Sequence, residues 1–393
     1  MHHFDSRKIM PGDTFICLPG GEAYIEDARK RGATNILKMT REEMAEFSDS
    51  LFLSPSRHLC VIGITGTNGK TTVAYWVSEV LKKLGQSPFF LGTINAALTT
   101  PESLDIQSLM KQHLDQGGTH FVMEVSSHGI AQHRIKCIDF NVKCLTNITQ
   151  DHLDYHGSFD AYKKTKESFM KDAPGDSIFP ENFLQESLPS TCVFREAFNQ
   201  ENLKATKAVI KALGYADDVI DSYLHILVAP PGRFEKVSED NHPLVIVDFA
   251  HTPDGFHRVL TEARKQAKKK NGHVICMFGC GGDRDKKKRP LMGKIASELC
   301  DRVIITQDNP RSEDPNDIVN DILQGIPNDA DIHIENDRIL AIKKSIDIAQ
   351  KRDVVMLLGK GHETTQVIKD TQLTIDDRVI AKKMLQSWHE NID

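Results

Sequence analysis

A short apolar run, Leu59-Cys60-Val61-Ile62, leads directly into Gly63-Ile64-Thr65-Gly66-Thr67-Asn68-Gly69-Lys70-Thr71-Thr72, and a helix-forming stretch from Val73 to Lys83 follows. An apolar strand that ends in a glycine-rich turn and passes at once into a helix is the opening of a parallel α/β sheet. The chemistry of the turn is equally restricted. Its backbone N–H groups can cradle an oligophosphate, the helix directs its positive dipole end at the same point, and Lys70 and Thr71 supply a cation and a Mg²⁺-binding hydroxyl. The strict phosphate-loop pattern needs glycine where Ile64 stands, so the segment reads as the rarer T-G-T-N-G-K-T-T variant, with Gly66, Thr67, Asn68, Gly69, Lys70, Thr71 and Thr72 as the candidate nucleotide contacts. The alternative, a turn that binds nothing, leaves Gly-Lys-Thr-Thr at a helix start with little packing purpose.

From there to about residue 169, strand-like runs (59–64, 119–125, 142–146) alternate with helix-like ones (72–84, 102–116, 160–171). Such alternation predicts a doubly wound α/β domain with parallel strands. A second series follows Pro230-Pro231-Gly232, with strands expected over 244–248, 273–278, 302–306 and 353–358. It predicts a second, Rossmann-like α/β domain, with Pro-Pro-Gly as a stiff linker or hinge. Residues 1–58 hold a strand-like segment at 13–18, a helical piece at 24–31 and one more short strand, and so read as a small separate lobe with little core of its own. The expected division is therefore 1–58, 59–229 and 230–393. The stretch 171–190, rich in Asp, Pro, Glu and Ser, reads as a loop.

With 49 basic and 55 acidic residues the net charge is -6, which gives no general attraction to nucleic acid or anionic membranes. Lys268-Lys269-Lys270 reads as a solvated helix end, and Lys286-Lys287-Lys288-Arg289 is a second local cluster. The eight cysteines are scattered without CxxC spacing, which predicts reduced thiols. Met1-His2-His3-Phe4-Asp5-Ser6-Arg7 has no apolar signal core and no run approaches the ~20 residues needed to cross a bilayer, so the expectation is a cytoplasmic protein without membrane partners; no nucleic-acid partner and a monomeric state are expected as well.

Ligands in open α/β sheets sit at the carboxyl ends of the strands. Glu124 closes the run Phe121-Val122-Met123 and opens Val125-Ser126-Ser127-His128-Gly129, where its carboxylate can share a Mg²⁺ with Thr71. The run Thr146-Asn147-Ile148-Thr149-Gln150-Asp151-His152-Leu153-Asp154-Tyr155-His156-Gly157 is dense in oxygen and imidazole groups. Taken alone it has two readings, a ligand cluster or a helix start capped by Thr149 or Asp151.

Thr65–Thr72, Glu124–Gly129 and Asp151–Gly157 resemble the Mur ligases. Three later segments, Phe278-Gly279-Cys280-Gly281-Gly282-Asp283-Arg284-Asp285, Asp308-Asn309-Pro310-Arg311 and Leu358-Gly359-Lys360-Gly361-His362-Glu363, resemble the MurE type in order. The resemblance implies an ATP- and Mg²⁺-dependent ligase of peptidoglycan synthesis. It would join meso-diaminopimelate to UDP-N-acetylmuramoyl-L-alanyl-D-glutamate through an acyl phosphate. It implies Lys70 on the β/γ-phosphates, Thr71 and Glu124 on one Mg²⁺, His152 on a second, and a carbamylated Lys166 helping to hold it; without the resemblance Lys166 would read as a surface lysine. It also implies Asn199, Arg233 and Asp248 around adenine, phosphate and ribose. Ser6, Thr99, Thr100, Ser126 and Arg134 would surround the nucleotide-sugar substrate. Asp308, Asn309, Arg311, Arg284, Gly359 and Glu363 would surround the amino acid, with arginines on its far carboxylate and Glu363 on its far ammonium. The bland reading of the fourth segment is an Asp-Asn-Pro turn with Arg311 in solvent.

Against the family pattern the amino-terminal lobe opens at an Asp5-Ser6-Arg7 strand and is compressed after Leu18-Pro19-Gly20, and the stretch between Lys166 and Phe198 is short. A reduced UDP-binding lobe and a trimmed central domain are expected. Two other readings follow, a ligase for a smaller carboxylate acceptor and a non-catalytic nucleotide-binding relative.

Overall fold

The computed structural model describes residues 1–389. They divide into two compact units, Met1–Ile148 with Ser158–Leu227, and Thr149–Gly157 with the chain from Val228 onward.

The first unit carries two sheets. The small one is β1 (His2–His3), β2 (Thr14–Cys17) and β3 (Asn35–Lys38), all parallel. The large one contains β4 (Cys60–Thr65), β5 (Pro88–Leu91), β6 (His120–Glu124), β7 (Val142–Leu145) and β8 (Asp176–Ile178), parallel in the order β5-β6-β4-β7-β8. β4 is buried along most of its length, as the apolar run requires of a central parallel strand. Its neighbours align Ile64 with Glu124, so the glycine-rich turn and the carboxylate emerge from the same sheet end. Trp76, Val77 and Val80 of helix Lys70–Lys83 pack with Leu203, Val209 and Ile210 of helix Ala197–Ala212 over one face.

Residues 1–58 have a core of Ile9, Phe15, Cys17 and Ala28, and a second cluster in which Ile16 and Met44 pack with Leu104 of helix Ser103–Asp115. The expected Asp-Ser-Arg strand is instead a 3₁₀ turn, Ser6–Lys8. The Asp5 carboxylate accepts from both the backbone N–H (3.0 Å) and the Nε (2.9 Å) of Arg7, a local pairing that outcompetes extension. The stretch read as a loop also differs, since it contains β8 and a short helix, Pro180–Phe183.

The second unit has β9 (Glu235–Lys236), β10 (Leu244–Asp248), β11 (Val274–Phe278), β12 (Arg302–Ile305), β13 (Ile332–Ile334) and β14 (Val354–Leu358) in the order β13-β12-β11-β14-β10-β9. β9 alone runs antiparallel. A hairpin, β15 (Thr365–Ile368) and β16 (Thr371–Thr374), follows. Val245, Val247, Ile275, Met277, Val355 and Leu357 form the core with Ala341, Ile346 and Leu385.

Gly232 of the Pro-Pro-Gly segment is held by packing within the second unit. Gly232 has φ +63° and packs so closely on the 361–362 backbone that a Cβ would lie 2.0 Å from the His362 nitrogen. Only glycine fits such an approach.

Candidate functional site

In the first unit the glycine-rich loop is held rigidly from β7. Thr146 Oγ1 donates to the Asn68 carbonyl (2.6 Å), Asn147 Oδ1 accepts from the Asn68 N–H (3.0 Å), and Thr67 N–H donates to the Asn147 carbonyl (2.9 Å). The Thr67 hydroxyl and the Tyr162 hydroxyl pair at 2.8 Å. Gly66 and Gly69 are required where they stand. At φ +143° a Cβ on Gly66 would come within 1.9 Å of Thr146 Oγ1, and at φ +84° one on Gly69 would lie 2.4 Å from Asn202 Oδ1. Helix Lys70–Lys83 starts on Gly69 with no side-chain cap, and its positive dipole end faces the loop.

Lys70 curls over the loop, its Nζ 2.9 Å from both the Gly66 and the Thr67 carbonyl oxygens. Lys166, 1% exposed, directs its Nζ to the same Gly66 oxygen at 3.0 Å and lies over the Tyr162 ring at 5.0 Å. It is thus no surface lysine. Thr71 Oγ1 donates to Glu124 Oε2 at 3.0 Å, and the fully buried carboxylate also accepts from the Thr93 N–H (2.8 Å) and hydroxyl (3.2 Å). Thr93 escaped the sequence reading. So did Gly92, where a Cβ would lie 2.2 Å from Glu124 Oε1.

Thr100 joins this cluster through a bond from its hydroxyl to the Glu124 carbonyl (2.9 Å), and accepts from the Ser126 N–H (2.9 Å). Ser126 caps the next helical turn at Gly129, and Thr99 pairs with Thr93 at 3.1 Å. Arg134 donates to the Thr100 carbonyl (2.7 Å) and pairs with buried Glu102 (3.2 Å), which also holds Arg41. Ser6 is buried, and Asn199 is buried and donates to Glu196 at 3.1 Å.

His152 belongs to the second unit. Of the two readings of this run, the helix start capped by Thr149 or Asp151 is not seen. His152 itself, at φ +51°, precedes the turn Leu153–His156, its N–H bonded to Asp151 (2.8 Å), and the Thr149 hydroxyl donates to Asp254 (3.2 Å). Asp248 ends β10 with both carboxylate oxygens occupied, by the Phe234 N–H (2.6 Å) and the Ala250 N–H (2.7 Å). Burial pushes its pKa up against the nearby Arg233. The Arg233 guanidinium stacks on Phe249 at 4.3 Å. Burial, helped by the Lys288 charge, pushes His251 down to about 4, so its imidazole is neutral near pH 7.

The three later motifs converge within this unit. Arg311, at φ +54°, donates to the Gly282 carbonyl (2.7 Å), and its backbone pairs with Val367 and Lys369 beside the hairpin. Asn309 Nδ2 donates to Glu363 Oε2 at 3.0 Å. Gly359, at φ +103°, lets the Asp308 carboxylate come to 2.8 Å of where a Cβ would stand. Arg284 is exposed and, among the described residues, donates to the Asp283 carbonyl (3.1 Å). Two buried arginines brace the loops. Arg289, from the second basic cluster, is 0% exposed and bonds Glu313, Asp321 and the Gly281 carbonyl. Arg338 pairs with Asp377 (2.6 Å), neither exposed, and donates to the carbonyls of Gln307, just before the Asp308 motif, and of Leu358, the first residue of the last motif.

The fold and loop place the first unit in the P-loop α/β class; the second unit is a largely parallel α/β sheet rich in paired cations and carboxylates. The family model of the Mur ligase middle domain matches residues 64–208, and that of the Mur ligase glutamate ligase domain matches 232–361. A UDP-N-acetylmuramoyl-L-alanyl-D-glutamate–2,6-diaminopimelate ligase of Solibacter usitatus (strain Ellin6076) is 36% identical, the match covering 98% of this chain and 93% of that protein. A solved structure of a ligase of the same name aligns over 98% of this chain and 94% of its own, with a TM-score of 0.58 and 28% identity. A MurF ligase of Thermotoga maritima, solved in complex with ADP, shares the fold at a TM-score of 0.65, with 18% identity and coverage of 98% and 96%. The chain belongs to the Mur ligase family, MurE type. The alignment to the Solibacter protein runs over 462 positions against a chain of 393 residues, so this chain is shorter within the aligned region.

Proposed function

We propose that this chain is the ligase that joins meso-diaminopimelate to UDP-N-acetylmuramoyl-L-alanyl-D-glutamate at the expense of ATP. The observation that carries it is the 36% identity, over nearly the whole of both chains, to a ligase of that name. The first unit suits ATP. Lys70 and the uncapped helix start neutralise phosphate charge while the acceptor carboxylate attacks the terminal phosphorus and ADP departs. The incoming amine then attacks the acyl phosphate and inorganic phosphate leaves from the tetrahedral adduct.

Thr71 and Glu124 offer hard oxygen donors in direct contact, and among the described residues no group of three or more His, Cys, Asp or Glu is gathered. A sparse oxygen set suits Mg²⁺, which keeps water and phosphate oxygens as its remaining ligands. When bound it would neutralise charge developing on the phosphates. His152 is assigned to a second Mg²⁺. Lys166 is assigned as a carbamate; as an amine it crowds a second cation onto the Gly66 oxygen, and carbamylation reverses its sign. Asn199, Arg233 and Asp248 are assigned to the nucleoside and phosphates.

Residues 1–58 with Ser6, Thr99, Thr100, Ser126 and Arg134 are assigned to the UDP-sugar substrate, residues 59–229 to nucleotide and acceptor, and residues from 230 to the amino acid. There Arg311 and Arg284 take the far carboxylate and Glu363 the far ammonium, with Asp308, Asn309 and Gly359 shaping the pocket. Free cysteines throughout the described residues support a reducing, cytoplasmic setting.

The test is phosphate release with ATP, Mg²⁺ and the UDP-muramoyl dipeptide, comparing meso-diaminopimelate, L-lysine and no amino acid. Release that needs both the dipeptide and diaminopimelate supports the reading, and release indifferent to either refutes it. The internal shortening favours one second reading, a smaller acceptor; preferred turnover of a muramoyl dipeptide lacking UDP would establish it.

A further inference from the structure

Lys360 is 0% exposed, yet its side chain ends in a charged amine. Burying an ammonium requires that its donors be used. They are: Nζ donates to Asn309 Oδ1 (3.3 Å), to Glu363 Oε2 (3.0 Å) and to the Thr365 carbonyl. Asn309 is fixed by the same contacts. Its Oδ1 faces the amine and also accepts from the Val367 N–H at 2.9 Å, so that end of the amide has to be the acceptor. The NH₂ end is then the donor to Glu363, and it too goes to Oε2, at 3.0 Å. Both donors therefore converge on one oxygen of Glu363. Among the described residues no hydrogen bond is given to Oε1, and the side chain stays 34% exposed.

We propose that Lys360 is the positioning residue that aims Glu363, by pinning Oε2 together with Asn309 and leaving Oε1 as the acceptor for the far ammonium of the amino-acid substrate. A carboxylate terminus otherwise rotates broadly about its last torsion. Two donors on one oxygen remove that freedom before substrate arrives, which is what pre-organised recognition requires. Asn309 also links this carboxylate to the arginine of the same motif, since its own carbonyl accepts from Arg311 at 3.4 Å. The inference rests on the reading above that Glu363 receives the far ammonium.

The experiment compares wild type with Lys360→Met on two amino acids, meso-diaminopimelate and 2-aminopimelate, which keeps the reacting end but lacks the far amine. Lys360→Met is expected to raise KM for meso-diaminopimelate about tenfold, the size of a weakened charged hydrogen bond. KM for 2-aminopimelate, ATP and the UDP-muramoyl dipeptide stays where it was, so the preference between the two amino acids collapses. In a Glu363→Gln background the Lys360→Met change adds nothing further, and Lys360→Arg restores part of the preference. An equal loss on both amino acids makes Lys360 a loop prop only and overturns the proposal, as does an unchanged ratio. Should the methionine variant not fold, Lys360→Gln read on the same pair decides in the same way. A wild type that does not turn over meso-diaminopimelate refutes the functional reading instead.

Discussion

Removing the Arg338 side chain tests how the second unit holds its loops. In Arg338→Met the Asp377 carboxylate, itself 0% exposed, is left without its 2.6 Å partner, and the carbonyls of Gln307 and Leu358 lose their guanidinium donor. Breaking a buried pair from one side costs about 3–5 kcal/mol, because the remaining charge is desolvated and unpaired. For a unit of this size each kcal/mol is worth about 2–4 °C, so the expected fall in Tm is about 6–20 °C. The Arg338→Met/Asp377→Leu pair removes both charges and is expected to recover most of that loss. The chain's two tryptophans give the assay. Trp76 lies in the first core and Trp388 against the second, so emission in a Trp76→Phe background follows the second unit. A single variant that melts within about 2 °C of wild type, or a double variant as unstable as the single, refutes the argument.

Three further outcomes are expected. Arg311→Leu removes a charged donor worth about 1.5–3 kcal/mol, so KM for meso-diaminopimelate should rise roughly 10- to 150-fold while KM for ATP holds; saturation kinetics decide it. Hydrogen bonds from Arg289, reinforced by Lys286, push the Glu313 carboxyl down to about 2 from an ordinary 4.5. A depressed pKa stabilises the fold above about pH 4.5 and that stabilisation is lost as pH falls toward 2, so urea titrations of Glu313→Gln should lose this part of the acid slope. Labelled bicarbonate should give a carbamate carbon resonance that disappears in Lys166→Ala; a spectrum identical in the two proteins counts against the modification.

Much of this architecture can be read along the chain. The strand expected at 244–248 is β10 residue for residue, because a strand buried on both faces is a continuous apolar run. β8 hides in polar sequence because three residues at a sheet edge need little apolar content. The phosphate loop announces itself, since its glycines and lysine are adjacent in sequence. Its clamp, Thr146 and Asn147, does not, because those residues act through partners about 80 positions away. The burial of Arg289 is not legible in its basic cluster for the same reason: Glu313 and Asp321, which pair with it, are invisible until the chain is folded.

The second unit is discontinuous, taking in Thr149–Gly157 ahead of everything from Val228. During synthesis that short segment emerges long before Asp254, the residue its Thr149 hydroxyl binds, has been made. That stretch must therefore wait for its partners while the residues between them are made, so translation order imposes a sequence on assembly. For the same reason no single cut in the gene can release the second unit whole.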